Sequence, residues 1–125
     1  MAHARGQLPN EASGLLGGSL AGGRAASYHP ARSSEASPLR YSIDAEDLVQ
    51  IMFAIERSGE ELVAIFHSHT DSSASPSATD RRTAMYPDQF HVIGSLADPD
   101  APPDRALRAW RIIRGHAFEV PLAIG

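Results

Sequence analysis

The stretch Leu62-Val63-Ala64-Ile65-Phe66-His67-Ser68-His69, followed by Thr70 through Pro76 and then by Ser77-Ala78-Thr79-Asp80, decides the reading of this chain. Leu62 to Phe66 is a continuous apolar run, as expected of a strand buried on both faces. Residues two apart on a strand point to the same side, so His67 and His69 project together from its end. Ser77 to Asp80 has the form of a capping box and starts a short helix over Ala78 to Met85. The loop between can fold the first turn of that helix, with Asp80, back over the histidines. Two His and one Asp make a three-ligand set with an open fourth position, the arrangement that separates a catalytic zinc from a structural one. Each part alone has a plainer reading. A His-x-His pair is more often surface or satisfied core histidine, and Ser77 and Asp80 serve equally well as a helix cap.

Outward from this stretch, Asp44 to Ser58 is the clearest helix. Leu48, Ile51, Met52 and Ile55 fall at i, i+3, i+4 and i+7 and form one apolar stripe. Asp44 stands at the N-cap position and Gly59 where the helix stops. Gly14-Leu15-Leu16-Gly17-Gly18 reads as a strand ended by glycines, with a second strand from Ala25 to Tyr28 completing a hairpin. His29 to Pro38 reads as an exposed loop rich in Ser, Ala and Pro. His91 to Leu96 is a further buried strand, and Ala106 to Arg114 and Phe118 to Ile124 form a hairpin turning at Gly115. The sum is one α+β domain over residues 1–125, a mixed sheet flanked by helices.

The composition removes several function classes. A chain of 125 residues holds one domain and one core. Net charge is −4 with no basic run, which argues against a nucleic-acid binder. There is no cysteine, so disulfides, thiolate catalysis and Cys-ligated metal sites are excluded. Any metal must be held by His and carboxylates. Met1 to Pro9 lacks the apolar run of a signal peptide, and no stretch approaches the roughly 20 apolar residues of a membrane span. A soluble cytoplasmic protein is the expectation.

A hydrolytic zinc site also needs a base for its water. Glu11 stands out in Pro9-Asn10-Glu11-Ala12-Ser13-Gly14, just ahead of the Leu15-Leu16 strand, because a carboxylate at the edge of a core is costly without a partner. An ordinary exposed glutamate at a strand start remains the plainer alternative.

Taken together, Glu11, then His67-Ser68-His69, seven residues, Ser77, two residues and Asp80 resemble the JAMM (MPN+) metallopeptidase pattern without a gap. Pro9-x-Glu11-x-x-Gly14-x-Leu16, Ser37-Pro38-x-x-Tyr41 and His91-Val92-Ile93 also look familial, so the resemblance runs over nearly the whole chain. The chain is most similar to small bacterial, stand-alone members, including the Mec type that trims the C-terminus of a ubiquitin-like sulfur-carrier protein. The resemblance implies the MPN/JAB cytidine-deaminase-like fold and one catalytic Zn2+ ligated by His67, His69 and Asp80. It implies that Glu11 holds and deprotonates the water and passes the proton to the leaving amine, and that Ser77 stabilises the oxyanion. The oxyanion role sits uneasily with simple capping by the same hydroxyl. Ser68 is the usual small residue between the histidines and is expected to pack on the opposite face.

The expected reaction is hydrolysis of a peptide or isopeptide bond after an extended, Gly-rich tail of a ubiquitin-like or sulfur-carrier protein, the tail lying as an added strand beside the sheet. Rival readings are a catalytically silent MPN scaffold, which usually loses ligands that this chain keeps, and a zinc hydrolase of small amides. Against the family pattern the chain starts inside the first helix, without the strand that normally precedes it. That leaves a sheet edge open to dimerisation. Ser13 stands where relatives often carry Cys. Ser33 stands where they often carry Asn, which would weaken support of the active-site loop. His3, His29, His91 and His116 are not expected to be ligands, and Trp110 is expected to be core. Arg81-Arg82 reads as a solvated helix face or, less commonly, as a steering pair for a carboxylate substrate.

Overall fold

The chain is described by a computed structural model over residues 2–6, 11–32, 43–84 and 86–123. Its elements run α1 (Ala2–Gly6), β1 (Ser13–Ser19), β2 (Arg24–Ala31), α2 (Ala45–Arg57), β3 (Glu61–His69), α3 (Ala78–Thr83), β4 (Phe90–Ser95), α4 (Pro103–Ala106), β5 (Leu107–Ile113) and β6 (His116–Val120). The strands form one sheet in the order β2-β1-β3-β4-β5-β6. Among the described strands only the β3–β4 pair is parallel. A parallel pair needs a crossover, and here the crossover carries α3. This is the α+β arrangement that the pattern of elements led us to expect.

β3 is the central strand. It is buried from Leu62 to His69 because β1 and β4 pair along its sides and helices cover its faces. On one face Leu15, Ile55, Leu62 and Ile65 form a core against which Leu48, Ile51 and Met52 of α2 pack. The apolar stripe read from the sequence is therefore the face that docks. Asp44 caps this helix by accepting from the Asp47 N–H at 3.1 Å, and Gly59 takes the left-handed φ of +79° that ends it. On the other face Ala4 of α1 packs with Ala12 and Phe66. The β5–β6 hairpin turns through Arg114 and Gly115, both at positive φ, as a tight two-residue turn requires.

Three expectations are corrected in extent. The last strand covers His116–Val120, where Phe118 to Ile124 was expected, because its pairing with β5 ends at Val120. His29 to Ala31 are not loop but the last residues of β2, since Ser13 of β1 pairs with Ala31 and carries the ladder that far. β3 does not end at Phe66 but runs through both histidines, held by β4 as far as the His69–Ser95 pair. Ser33, Pro38 and the Ser37 to Tyr41 segment lie outside the described residues, as do Pro9, Met85 and Ile124. The outer strands of the described sheet are β2 and β6. Among the described residues no helix is long and apolar enough to cross a membrane.

Candidate metal centre

The site forms at the carboxyl end of β3, beside the crossover, which is where parallel strand pairs commonly bind ligands. Strand alternation sends His67 and His69 to the same side, and both rings are buried. The turn of α3 brings Asp80 against them. His67 Nε2 and His69 Nε2 stand 3.3 Å apart, and Asp80 Oδ2 lies 3.2 Å from the first and 3.0 Å from the second. Donors about 2.0–2.1 Å from a tetrahedral zinc stand about 3.3 Å from one another. The three atoms thus form one face of a tetrahedron of nearly the right size, and they are the one His/Asp/Glu group of this kind among the described residues.

Two of the three donors, His69 and Asp80, are held from behind. His69 Nδ1 is 2.7 Å from the Ser73 carbonyl, which can accept only a proton on that nitrogen. This fixes the tautomer and leaves the Nε2 lone pair facing the site. Asp80 Oδ2 accepts from the Ser77 N–H at 2.9 Å, and Ser77 Oγ accepts from the Asp80 N–H at 3.0 Å. The capping box expected at Ala78 is therefore present, and its carboxylate is the same oxygen that faces the imidazoles.

The electrostatics suit a cation. Burial pushes the Asp80 carboxyl up, but hydrogen bonds from His67 and His69 outweigh it and hold the group well below the usual carboxylate range. Burial lowers His67, which favours the neutral imidazole that a metal needs. Burial works the same way on His69, but there the Asp80 and Ser73 hydrogen bonds win and its pKa is raised.

Glu11 is only 6% exposed, and its Oε1 is buried with no hydrogen-bond partner. Burial pushes its carboxyl up to about 7, against an opposing pull from His69. An orphaned buried carboxylate oxygen beside three converging donors is costly in the protein alone and explicable if the site takes a cation and water.

Ser68 departs in detail from the expectation that it merely packs. Its side chain does point away from the histidines, but its hydroxyl accepts from the Ala12 N–H at 2.8 Å, and its own N–H donates to the Ala12 carbonyl at 3.0 Å. These two bonds continue the β1–β3 ladder and fix the residue next to Glu11. Ser68→Ala should leave a buried N–H unsatisfied, lowering stability by about 1–3 kcal/mol. It should also lower turnover beyond what the stability loss explains; denaturation and initial-rate measurements on the same variant decide this.

The remaining sequence candidates fall as follows. His3 is 2.7 Å from the Tyr28 hydroxyl, His29 is 3.0 Å from Ser27 Oγ, and His116 is exposed on β6. None joins the cluster. His91 is buried on β4, in line with a packed role. Arg81 and Arg82 are exposed, with long contacts to the Pro76 carbonyl (3.5 Å) and Thr79 Oγ1 (3.4 Å). Trp110 is half-buried rather than plain core, and its indole N–H donates to the Ala74 carbonyl at 2.9 Å. Ser13, expected to matter little, is fully buried directly across from His67.

Comparison with known proteins gives the family of the chain. Residues 1–113 match the family described as prokaryotic homologs of the JAB domain. The chain is 36% identical over 124 residues to the CysO-cysteine peptidase of Mycobacterium tuberculosis, covering 99% of this chain and 83% of that protein. It is 37% identical over 100 residues to the desampylase of Haloferax volcanii, covering 76% and 72%. The solution structure of protein DSY2949 from Desulfitobacterium hafniense superposes with a TM-score of 0.83 at 34% identity, over 95% of this chain and 81% of that one. The chain belongs to the family of prokaryotic JAB-domain homologs.

Proposed function

We propose that this protein is a zinc-dependent peptidase that hydrolyses a peptide or isopeptide bond at the C-terminal tail of a ubiquitin-like or sulfur-carrier protein. The observation that carries the proposal is the pairing of the His67–His69–Asp80 donor triangle with the buried Glu11 carboxyl, whose Oε1 has no hydrogen-bond partner. The names of the two relatives, a CysO-cysteine peptidase and a desampylase, support the substrate class.

Zinc held by the three donors would act as a Lewis acid and bring the pKa of its water towards about 7. The chain's own residues supply proton transfer and charge stabilisation. Glu11, with its carboxyl near 7, is suited to take a proton and return it to the leaving amine. Ser77 is exposed, and its oxygen accepts from the Asp80 N–H through a lone pair. A hydroxyl has one proton as well as two lone pairs, so the same group can still donate to the oxyanion developing on the substrate carbonyl. Capping and oxyanion stabilisation therefore do not conflict. β3 is paired on both sides as far as its histidines, so an incoming tail cannot add to the sheet at β3 itself.

The test compares a carrier conjugate with small amides bearing the same scissile bond, each with zinc-loaded and chelator-treated protein. The conjugate is expected to be cleaved with much the higher kcat/KM, and only with the metal. Equal cleavage of small amides would make this a small-amide hydrolase. Cleavage of neither by folded, zinc-loaded protein would favour a partner-binding scaffold.

A further inference from the structure

The segment from Thr70 to Pro76 has no regular structure, yet it sets the position of the donors at both its ends. Irregular loops are ordinarily the mobile part of a fold. This one is pinned residue by residue from β3, β4 and β5. The Ser95 hydroxyl donates to the Ser72 carbonyl at 2.5 Å. The Ser73 carbonyl receives His69 Nδ1–H. The Trp110 indole donates to the carbonyl of Ala74, a residue with no exposed surface. The Arg108 guanidinium donates to Ser75 Oγ at 3.2 Å, lies 4.8 Å from the centre of the Trp110 ring, and is gripped by both carboxylate oxygens of Glu119 at 2.8 and 2.7 Å.

We propose that Trp110 is a positioning residue for the metal centre: by holding the Ala74 carbonyl, its indole N–H fixes the neighbouring Ser73 carbonyl that orients the His69 ring. The Ser73–Ala74 and Ala74–Ser75 peptide planes meet at the Ala74 Cα. Peptide planes are rigid, so fixing one carbonyl leaves the other only the two soft dihedrals at Ala74. An indole N–H donates and cannot accept, so its bond has a fixed sense, and Arg108 stacked on the ring keeps the indole in place. Packing alone would be served by any large apolar ring at position 110. The N–H aimed at the loop is what a mere core residue does not need. The proposal rests on the metal-centre reading above only for its zinc arm.

Trp110→Phe keeps a ring and removes the donor. Zinc affinity, measured by competition with a chromophoric chelator, is expected to fall about tenfold, at the lower end of what loss of a ligand's supporting partner costs. In the metal-free protein the His69 Nδ1 proton, followed by NMR, is expected to exchange with solvent faster than in wild type. A folded Trp110→Phe with unchanged zinc affinity and unchanged exchange would overturn the proposal. Arg108→Met removes the guanidinium that holds both Ser75 and the indole; it should shift both readouts in the same direction by less. If Trp110→Phe does not fold, an Arg108→Met protein with neither readout shifted overturns the proposal equally. If wild type takes up no zinc at all, the metal-centre reading fails, and the proton-exchange comparison alone decides the role of Trp110.

Discussion

Glu11→Gln is expected to lower turnover by about a hundredfold to ten-thousandfold, the range supplied by a positioned general base, while the protein keeps its zinc. The amide is nearly isosteric but cannot take a proton at neutral pH. Because Glu11 is not one of the three converging donors, its loss should spare the metal. Zinc content that falls with activity would show that Glu11 had been assigned the wrong role. The same substitution has a thermodynamic signature with a definite sign. The Glu11 carboxyl is raised from its ordinary 4.5 to about 7 by burial. Between those two values the unfolded chain has released its proton and the folded chain still holds it, so the folded state binds more protons. The Glu11 contribution to the stability of the metal-free protein should then fall as pH rises through this window, by up to about 3 kcal/mol for a shift of this size, while the lowered His67 works in the opposite sense. Glu11→Gln should remove that contribution, making the metal-free variant more stable than wild type at pH 8 relative to pH 4. Zinc should flatten the slope in wild type too, since a nearby cation favours the carboxylate. Urea denaturation at the two pH values, with and without zinc, measures all three.

His69→Ala is expected to bring the zinc content of the purified protein to background. Two donors remain, and they no longer define a tetrahedral face. Asp80→Ala should do the same and also cost folding stability. The Asp80 carboxylate meets both buried imidazoles and the Ser77 N–H, and removing one partner of a buried ionic cluster typically costs about 3–5 kcal/mol. Metal analysis by mass spectrometry reads the first effect and denaturation the second. Full zinc content in His69→Ala would remove that residue from the ligand set.

Much of the fold was legible in the sequence because it rests on local patterns. The α2 stripe, the apolar run of β3 and the glycine turns each announce themselves within a few residues. The misjudged ends, the tail of β2 and the histidine end of β3, depend on which strand lies alongside, and local pattern does not carry that. The candidate site shows the same division. His67, His69 and Asp80 lie within one short stretch, and spacing brought them together; Ser77 read from spacing only as a helix cap, and its site role came with the family resemblance. Glu11 is far away in sequence and needed the family resemblance. Ser68 bonded to Ala12, and Trp110 bonded to Ala74, are separated by 56 and 36 residues, and nothing near either residue marks the contact. A serine between two histidines and a tryptophan in an apolar strand both have ordinary explanations. Only the sheet register, which sets Ser13 against His67 and Trp110 against His91, puts them next to the site.

Crystals of zinc-loaded protein, with diffraction recorded on either side of the zinc absorption edge, test the central claim most directly. One anomalous peak per chain is expected, about 2.0–2.2 Å from His67 Nε2, His69 Nε2 and an Asp80 carboxylate oxygen, with the Glu11 carboxyl facing it but not ligating. A peak elsewhere, or none at these three atoms in protein shown to contain zinc, would contradict it.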